Sequence, residues 1–298
     1  MVGLTFAQVA PVDLLALTKP RITLMAVLTV AAGFALAAPA SLAAWTATTW
    51  GLLIHALIGS ALVAGGTNAL NQVLERDVDA LMRRTAGRPL PAGRLDPRVA
   101  ATFAVAAGTL GVAYLAVLVN LMTALIAAAT LLSYVLVYTP LKRRTTLATL
   151  IGAVPGALPI VGGWTAAGGT LSERPWVLFA MLFFWQLPHF LALSWIYRDD
   201  YTRAGLRMLS VDDVDGTSTF RQAVLTAGAL VPISLVPTML GMSGVVYFAG
   251  ALGLSGWLVA RAVLAARSRT PYRVRRLFLF TLVYLPAILT FMIADRVA

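Results

Sequence analysis

Nine runs of apolar residues, each about long enough to cross a bilayer, decide what this chain can fold into. They fall near residues 20–38, 46–72, 98–118, 120–139, 146–166, 175–197, 221–241, 244–264 and 274–294, bounded by proline, glycine or charge. Hydrocarbon offers the backbone no hydrogen-bond partner, so such runs must close their own bonds as helices. The expected fold class is therefore an all-α integral membrane protein of about nine transmembrane helices in a bundle. Only 12% of the 298 residues are charged and mean hydropathy is +0.84, which excludes an ordinary soluble domain. Cysteine is absent, which removes disulfide frameworks, cysteine-ligated metals and a cysteine nucleophile. Two histidines are too few for a polyhistidine metal centre.

The net charge of +11 reads as topology, not nucleic-acid binding, once its positions are considered. Lys19 and Arg21 precede the first run; Arg76, Arg83, Arg84, Arg88, Arg94 and Arg98 follow the second. Lys142, Arg143 and Arg144 follow the fourth, Arg198, Arg203, Arg207 and Arg221 the sixth, and six arginines surround the connection from the eighth to the ninth. Thus 21 of 23 basic residues lie on alternate connections, leaving only Arg174 and Arg296 opposite. The positive-inside rule then predicts a cytoplasmic N-terminus, an outer C-terminus and a multi-pass protein of the bacterial inner membrane. Asp13 interrupts the N-terminal segment, so no cleaved leader is expected.

Polar residues that intrude into the second run are candidates for chemistry. From Thr67 the chain reads TNALNQVLERDVDALMRRTAGRPLPAGR. On a continuous helix at about 100° per residue, Asn68, Asn71, Glu75 and Asp79 share one face and Asp77 points away. An amide and two carboxylates are hard oxygen donors that suit Mg²⁺, which is commonly held by a few carboxylates plus substrate phosphates. Arg84 and Arg88 add fork-shaped donors for phosphate oxygens. The pattern reads as a diphosphate site at the cytoplasmic edge; the alternative is a solvated, mutually salt-bridged loop. Polar groups this far into an apolar helix are costly and favour function.

The sixth run ends in WQLPHFLALSWIYRDDYTRAGLRML from Trp185. On a continuous helix His189 and Asp200 share a face about 16 Å apart, and Tyr197 and Tyr201 form a further i, i+4 pair. His189 is either functional or a histidine hydrogen-bonded between helices. His55 lies about 24 Å outward of Asn71 and reads as structural. Asp212, Asp213 and Asp215 read as a solvated loop, and the glycines at 162–169 lack the Lys-Ser/Thr of a nucleotide-binding loop. Lys19 precedes Asp79 by 60 residues and Lys142 precedes Asp200 by 58. The spacing suggests one membrane-embedded domain, 1–298, built from a pseudo-repeat of 17–140 and 141–265 with a final helix at 274–294.

These residues resemble the UbiA-type intramembrane prenyltransferases. The resemblance is carried by Asn71-x-x-x-Glu75-x-x-x-Asp79 with Arg84-Thr85 and Arg88-Pro-Leu-Pro-x-Gly-Arg94, by Leu17-Thr-Lys-Pro-Arg21, and by Tyr138-Thr-Pro-Leu-Lys-Arg-Arg-Thr145. Pro188-His189-Phe190 and Asp200-Tyr201 resemble the branch that farnesylates heme. The resemblance implies a bundle around a central cavity, with farnesyl diphosphate and heme B as substrates, heme O as product, and heme as substrate, not cofactor. It implies that Asn71, Glu75 and Asp79 hold Mg²⁺-diphosphate, helped by Asn68, Arg84, Arg88, Lys142 and Arg143. It also implies that His189 acts at the heme and that Asp200, with Tyr197 and Tyr201, forms the second motif. A downstream heme A synthase or terminal oxidase assembly is the implied protein partner. Other branches carry Asp-x-x-x-Asp where Tyr197 and Tyr201 stand here, which argues against a second Mg²⁺. Within the family the acceptor alternatives are a quinone precursor or a chlorophyll-type ring. Outside it the alternative is a transporter, whose polar breaks belong at the bilayer midplane and not at one edge.

Overall fold

The computed structural model describes residues 10–297; the expectation about a cleaved leader falls partly outside that range. Among the described residues nine helices are long and apolar enough to span a membrane. They are α1 (Pro20–Ala37), α2 (Ala47–Leu74), α3 (Pro97–Leu118), α4 (Leu121–Leu141), α5 (Ala148–Ala166), α6 (Glu173–Ile196), α7 (Thr217–Met239), α8 (Val245–Ser268) and α9 (Pro271–Ala294). The expected spans are all present. α8 runs four residues past its expected end and α9 starts three before its own, because only Arg269 and Thr270 separate them: Arg269 takes a left-handed conformation (φ 50°) and Pro271 opens the next helix. A short helix, Pro11–Leu17, precedes α1.

The outer surface inverts the soluble pattern. Leu24, Leu28, Ile54, Ile58, Leu110, Leu125, Leu225, Val246 and Leu279 are all exposed. In water so large an apolar surface would drive association, whereas in a bilayer it meets its own kind of solvent. Apolar contact therefore cannot hold the helices together, and close van der Waals approach must. Small residues supply it. A Cβ on Gly66 of α2 would stand 2.5 Å from Gly108 N of α3, and one on Gly111 would stand 2.7 Å from Val63 N. A Cβ on Gly33 of α1 would lie 2.0 Å from the Ile160 carbonyl oxygen of α5, and one on Gly163 of α5 would lie 2.0 Å from that of Val30 of α1. The two contacts are reciprocal, each residue pairing with the counterpart of its partner 130 positions along the chain.

Two helices break at matching points. α2 stops at Leu74, Glu75 departs from helical geometry (φ −101°, ψ 8°), and a six-residue helix follows at Arg76–Leu81. α6 stops at Ile196, Tyr197 departs in the same way (φ −107°, ψ 20°), and a six-residue helix follows at Arg198–Arg203. The continuous helices assumed from the spacing of Asn71 to Asp79 and of His189 to Asp200 are thus both interrupted. The first break keeps its i→i−4 hydrogen bonds, Glu75 N to Asn71 O at 3.0 Å and Asp79 N to Glu75 O at 2.7 Å, so Asp79 stays on the buried side and Asp77 is exposed. The second keeps the same bonds, Tyr197 N to Leu193 O and Tyr201 N to Tyr197 O, both at 3.1 Å, and Asp200 too is buried.

At the opposite end, Arg296 donates to the carbonyl oxygens of Ala35 and Ala38, the unsatisfied acceptors at the end of α1. Asp295 accepts from Tyr247 N at 2.7 Å, capping the start of α8. If backbone approach holds the bundle, Gly33→Ala must push α1 off α5 and cost about 1–3 kcal/mol. Gly253→Ala in α8, whose Cβ would meet nothing within 4 Å, should be neutral. Thermal unfolding in detergent distinguishes them, and equal melting temperatures would rule out this packing account.

Candidate functional site

The site lies at the basic end of the bundle, where α2 breaks. Its centre is a chain of buried polar groups. Asn71, 1% exposed, donates through Nδ2 to Glu75 Oε2 at 2.8 Å and to Thr139 Oγ1 at 3.3 Å, and its Oδ1 accepts from Lys19 Nζ at 2.7 Å. The Glu75 carboxylate pairs with Lys142 Nζ at 2.9 Å through one oxygen and 3.1 Å through the other. Asp79, also 1% exposed, accepts from Arg88 Nη1 at 2.6 Å. The Thr85 hydroxyl donates to the Asp79 carbonyl at 2.8 Å and fixes the loop that brings Arg88 back. Asn68 sits one turn earlier, donating to the Thr18 carbonyl at 3.3 Å and to Thr23 Oγ1 at 3.1 Å, so it anchors α1.

Local backbone irregularities aim these groups. α4 contains a π-helical segment, Ser133–Tyr138, whose wider turn precedes Thr139 and Lys142. The Thr139 hydroxyl donates to the Tyr134 carbonyl at 2.9 Å, five residues back, and Lys142 Nζ lies 4.5 Å from the centre of the Tyr138 ring. Lys19 is left-handed (φ 48°, ψ 68°) immediately before Pro20. A side chain dislikes that region, and a following proline disfavours it further, at a cost of roughly 1–3 kcal/mol. The strain is tolerated where it carries the ammonium to Asn71.

The two lysines differ in partner and therefore in charge preference. Lys19 meets only an amide oxygen; burial, with the Arg88 and Lys142 cations adding to it, lowers its pKa to about 7. Burial also opposes charge on Lys142, but the Tyr138 ring and the Glu75 carboxylate outweigh it and hold Lys142 above the ordinary lysine range. Basic groups outnumber the carboxylates here: Lys19, Arg84, Arg88 and Lys142 against Glu75 and Asp79.

The second break supplies aromatic rings instead of acids. Tyr197 and Tyr201 stand 122 residues after Glu75 and Asp79, at the same positions relative to the break. The Arg84 guanidinium lies 4.9 Å from the Tyr197 ring centre and 6.0 Å from that of Tyr201. Burial pushes the Tyr201 phenol up, so it stays neutral and is no substitute for a metal-binding carboxylate. Asp200 pairs with Arg203 on its own helix. The two post-break helices meet through Val78, Met82, Tyr201, Ala204 and Met208, which brings Arg84 to its rings.

Other residues lie outside this cluster. Arg143 is exposed and does not join the cluster, because the chain turns there and carries its side chain outward. His189 bonds through Nδ1 to Thr281 Oγ1 of α9 at 2.8 Å. His55 pairs with Tyr114 OH at 2.8 Å, a contact between α2 and α3. Asp213 and Asp215 accept from Thr219 N and Thr217 N at the start of α7, and Asp212 pairs with Arg207. Lys19, Thr139 and Thr85 join the site without having been singled out for it; each sits inside a motif already noted around Leu17–Arg21, Tyr138–Thr145 or Arg84–Thr85.

Among the described residues no group of three or more His, Asp or Glu is clustered as a metal site. The donor chemistry still fits one hard divalent cation: two buried carboxylates and an amide oxygen are a common protein share when phosphate oxygens complete the shell. Both carboxylates already hold positive charge against their oxygens. Removing one such charge exposes the cost of the other partner. Lys142→Met should destabilise the protein by about 3–5 kcal/mol by stranding Glu75, and adding Glu75→Gln should recover most of it. Thermal unfolding of the single and double variants checks this; additive losses would argue against the pair.

The chain matches the UbiA prenyltransferase family over residues 23–284. It is 46% identical over 288 residues to the protein named protoheme IX farnesyltransferase from Solibacter usitatus, covering 95% of this chain and 98% of that one. It is 42% identical to the protein of the same name from Salinibacter ruber, covering 95% and 98%. Among solved structures it is similar to a digeranylgeranylglyceryl phosphate synthase, with TM-score 0.77, 15% identity, and coverage of 95% and 97%. It is similar also to a UbiA homolog from Archaeoglobus fulgidus bound to DMAPP and Mg²⁺, with TM-score 0.65, 15% identity, and coverage of 94% and 99%. At those identities the structures establish the shared fold. The helix count, the paired polar motif at the basic end and the full-length similarity agree: this chain belongs to the UbiA prenyltransferase family.

Proposed function

We propose that this protein moves a farnesyl group from farnesyl diphosphate to a vinyl group of heme B, with addition of water, giving heme O. The relatives' shared name supports the substrates. The observation that carries the chemistry is the buried Asn71–Glu75–Asp79 chain tied to Lys142 and Arg88 at one end of an apolar bundle. Asn71, Glu75 and Asp79 would hold a divalent cation, and that ion supplies Lewis-acid neutralisation of the diphosphate charge.

The chain's own groups do the rest. Lys19, Arg84, Arg88 and Lys142 bind diphosphate oxygens, and the surplus of basic over acidic groups favours the anion before any bond breaks. As the allylic C–O bond breaks, the leaving group takes the electron pair, and these donors stabilise the growing charge. The apolar helices keep bulk water from the resulting allylic cation. The electron-rich vinyl group attacks it, forming a C–C bond. Water then adds to the new cation beside the porphyrin and loses a proton. His189 acts at the heme. Tyr197 and Tyr201 hold Arg84 over the mouth, a cation–π seat of about 0.5–2 kcal/mol.

The protein is a multi-pass membrane protein. We place it in the inner membrane of a bacterial cell with its N-terminus and polar site cytoplasmic, supported by the basic residues gathered at that end. Its halves, 17–140 and 141–265, are read as two copies of one four-helix unit, which the reciprocal Gly33 and Gly163 contacts and the matching breaks support. The product would pass to a heme A synthase or terminal oxidase assembly.

Purified protein given heme B, farnesyl diphosphate and Mg²⁺ should yield a hydroxyethylfarnesyl heme by mass. Asp79→Asn and Arg88→Ala should each lower the rate at least about 100-fold, the scale of losing a transition-state charge partner. Unchanged activity in both would remove the diphosphate assignment, and the absence of a heme product would remove the acceptor. The natural lack of cysteine allows single cysteines at Thr145 and Thr170 to be labelled from either side. Cytoplasmic labelling at Thr145 alone is expected; the reverse pattern would invert the topology.

A further inference from the structure

His189 lies beside Thr281 with Nδ1 to Oγ1 at 2.8 Å, a distance that does not say which atom donates. The next contact does. Thr281 Oγ1 is also 2.5 Å from the carbonyl oxygen of Phe278, three residues back on α9. A hydroxyl has one proton and a carbonyl has none. Two oxygens this close with no proton between them would repel, so the Thr281 proton is committed to Phe278. His189 Nδ1 must then be the donor. No carboxylate among the described residues pairs with the ring, and an unpaired imidazolium in an apolar span is strongly disfavoured. A neutral ring that carries its proton on Nδ1 leaves Nε2 bare.

The surroundings hold that ring in place. The Trp185 and Phe278 rings lie near-parallel to the imidazole, with centroids at 5.5 Å and 5.0 Å and interplanar angles of 22° and 30°. Trp185 Nε1 donates to the Thr281 carbonyl at 2.8 Å, so Thr281 also anchors one of the ring's two aromatic neighbours. His189 Nε2 has no hydrogen-bond partner among the described residues.

We propose that Thr281 is a positioning residue that holds His189 as the Nδ1–H tautomer, so that Nε2 presents a neutral nitrogen to the iron of bound heme. A metal-ligating histidine generally donates its other N–H to an acceptor, which orients the ring and raises its basicity; Thr281 Oγ1 is that acceptor. The ligation part rests on the heme-acceptor reading above, whereas the tautomer does not.

Two measurements separate the parts. With only two histidines in the chain, ¹⁵N-histidine labelling gives two imidazoles, and His55→Gln assigns them. In the ligand-free protein His189 should show a protonated Nδ1 and a bare Nε2; Thr281→Val should mix the tautomers and Thr281→Ser should retain them. Titration with ferric heme, read by absorbance and electron paramagnetic resonance, should show nitrogen ligation that His189→Ala abolishes. Thr281→Val should weaken that binding about 10–100-fold, with Thr281→Ser near wild type. A protonated Nε2 in the free protein overturns the tautomer assignment. The expected tautomer with heme bound but its spectrum unchanged in His189→Ala overturns ligation. The expected tautomer with no heme binding at all overturns the acceptor reading and the ligation inferred under it.

Discussion

Two carboxylates buried at the end of an apolar bundle set the terms for everything near them. A lone charge there is too costly to keep, so Glu75 and Asp79 require Lys142 and Arg88, and those cations come from different parts of the chain. Arg88 is nine residues from Asp79 and needs only a tight loop. Lys142 is 67 residues from Glu75, and reaches it because α4 packs near α2 and a π-helical segment turns its last residues inward. The ion pairs thus link a local motif to the packing of the whole first half. They also leave a surplus of positive charge beside them, which is what an incoming diphosphate needs.

That packing depends on residues with almost no side chain. In lipid no hydrophobic force separates helix–helix from helix–lipid contact, so shape decides. Gly33, Gly66, Gly111 and Gly163 let backbones approach to distances at which a methyl group has no room. The reciprocal contact of α1 and α5 places the openings of both helices at one end of the molecule, with the broken ends of α2 and α6 beside them. The breaks at Glu75 and Tyr197 then bend two short helices toward each other. Their meeting seats Arg84 on a pair of tyrosines where the first break carries acids, so the two halves of the mouth have different chemistry on the same backbone plan.

Much of this was legible in the chain. The spans, their number and the basic end follow from composition in windows of about 20 residues, because partition into a bilayer is a local property. Asn71, Glu75 and Asp79 stood out since polar groups in an apolar helix are expensive. Less legible was the break at Glu75: nothing in Leu74-Glu75-Arg76 is a helix breaker, and the departure comes from how the following loop folds back. Arg143 read like Lys142 by type and position, but the turn after Leu141 sends one inward and the other out. The interruption at Tyr197, between His189 and Asp200, was no more legible.

The sequence by itself determined that the protein lives in a bilayer, how many times it crosses, which end is basic, and which residues are too polar to be there without purpose. Tertiary structure alone decided who partners whom: Lys19 with Asn71, Lys142 with Glu75, Arg84 with two tyrosines, and His189 with Thr281, 92 residues away. The division is physical. Transfer into hydrocarbon sums over neighbouring residues, whereas a hydrogen bond needs two atoms within about 3 Å, and only the packed helices set that distance.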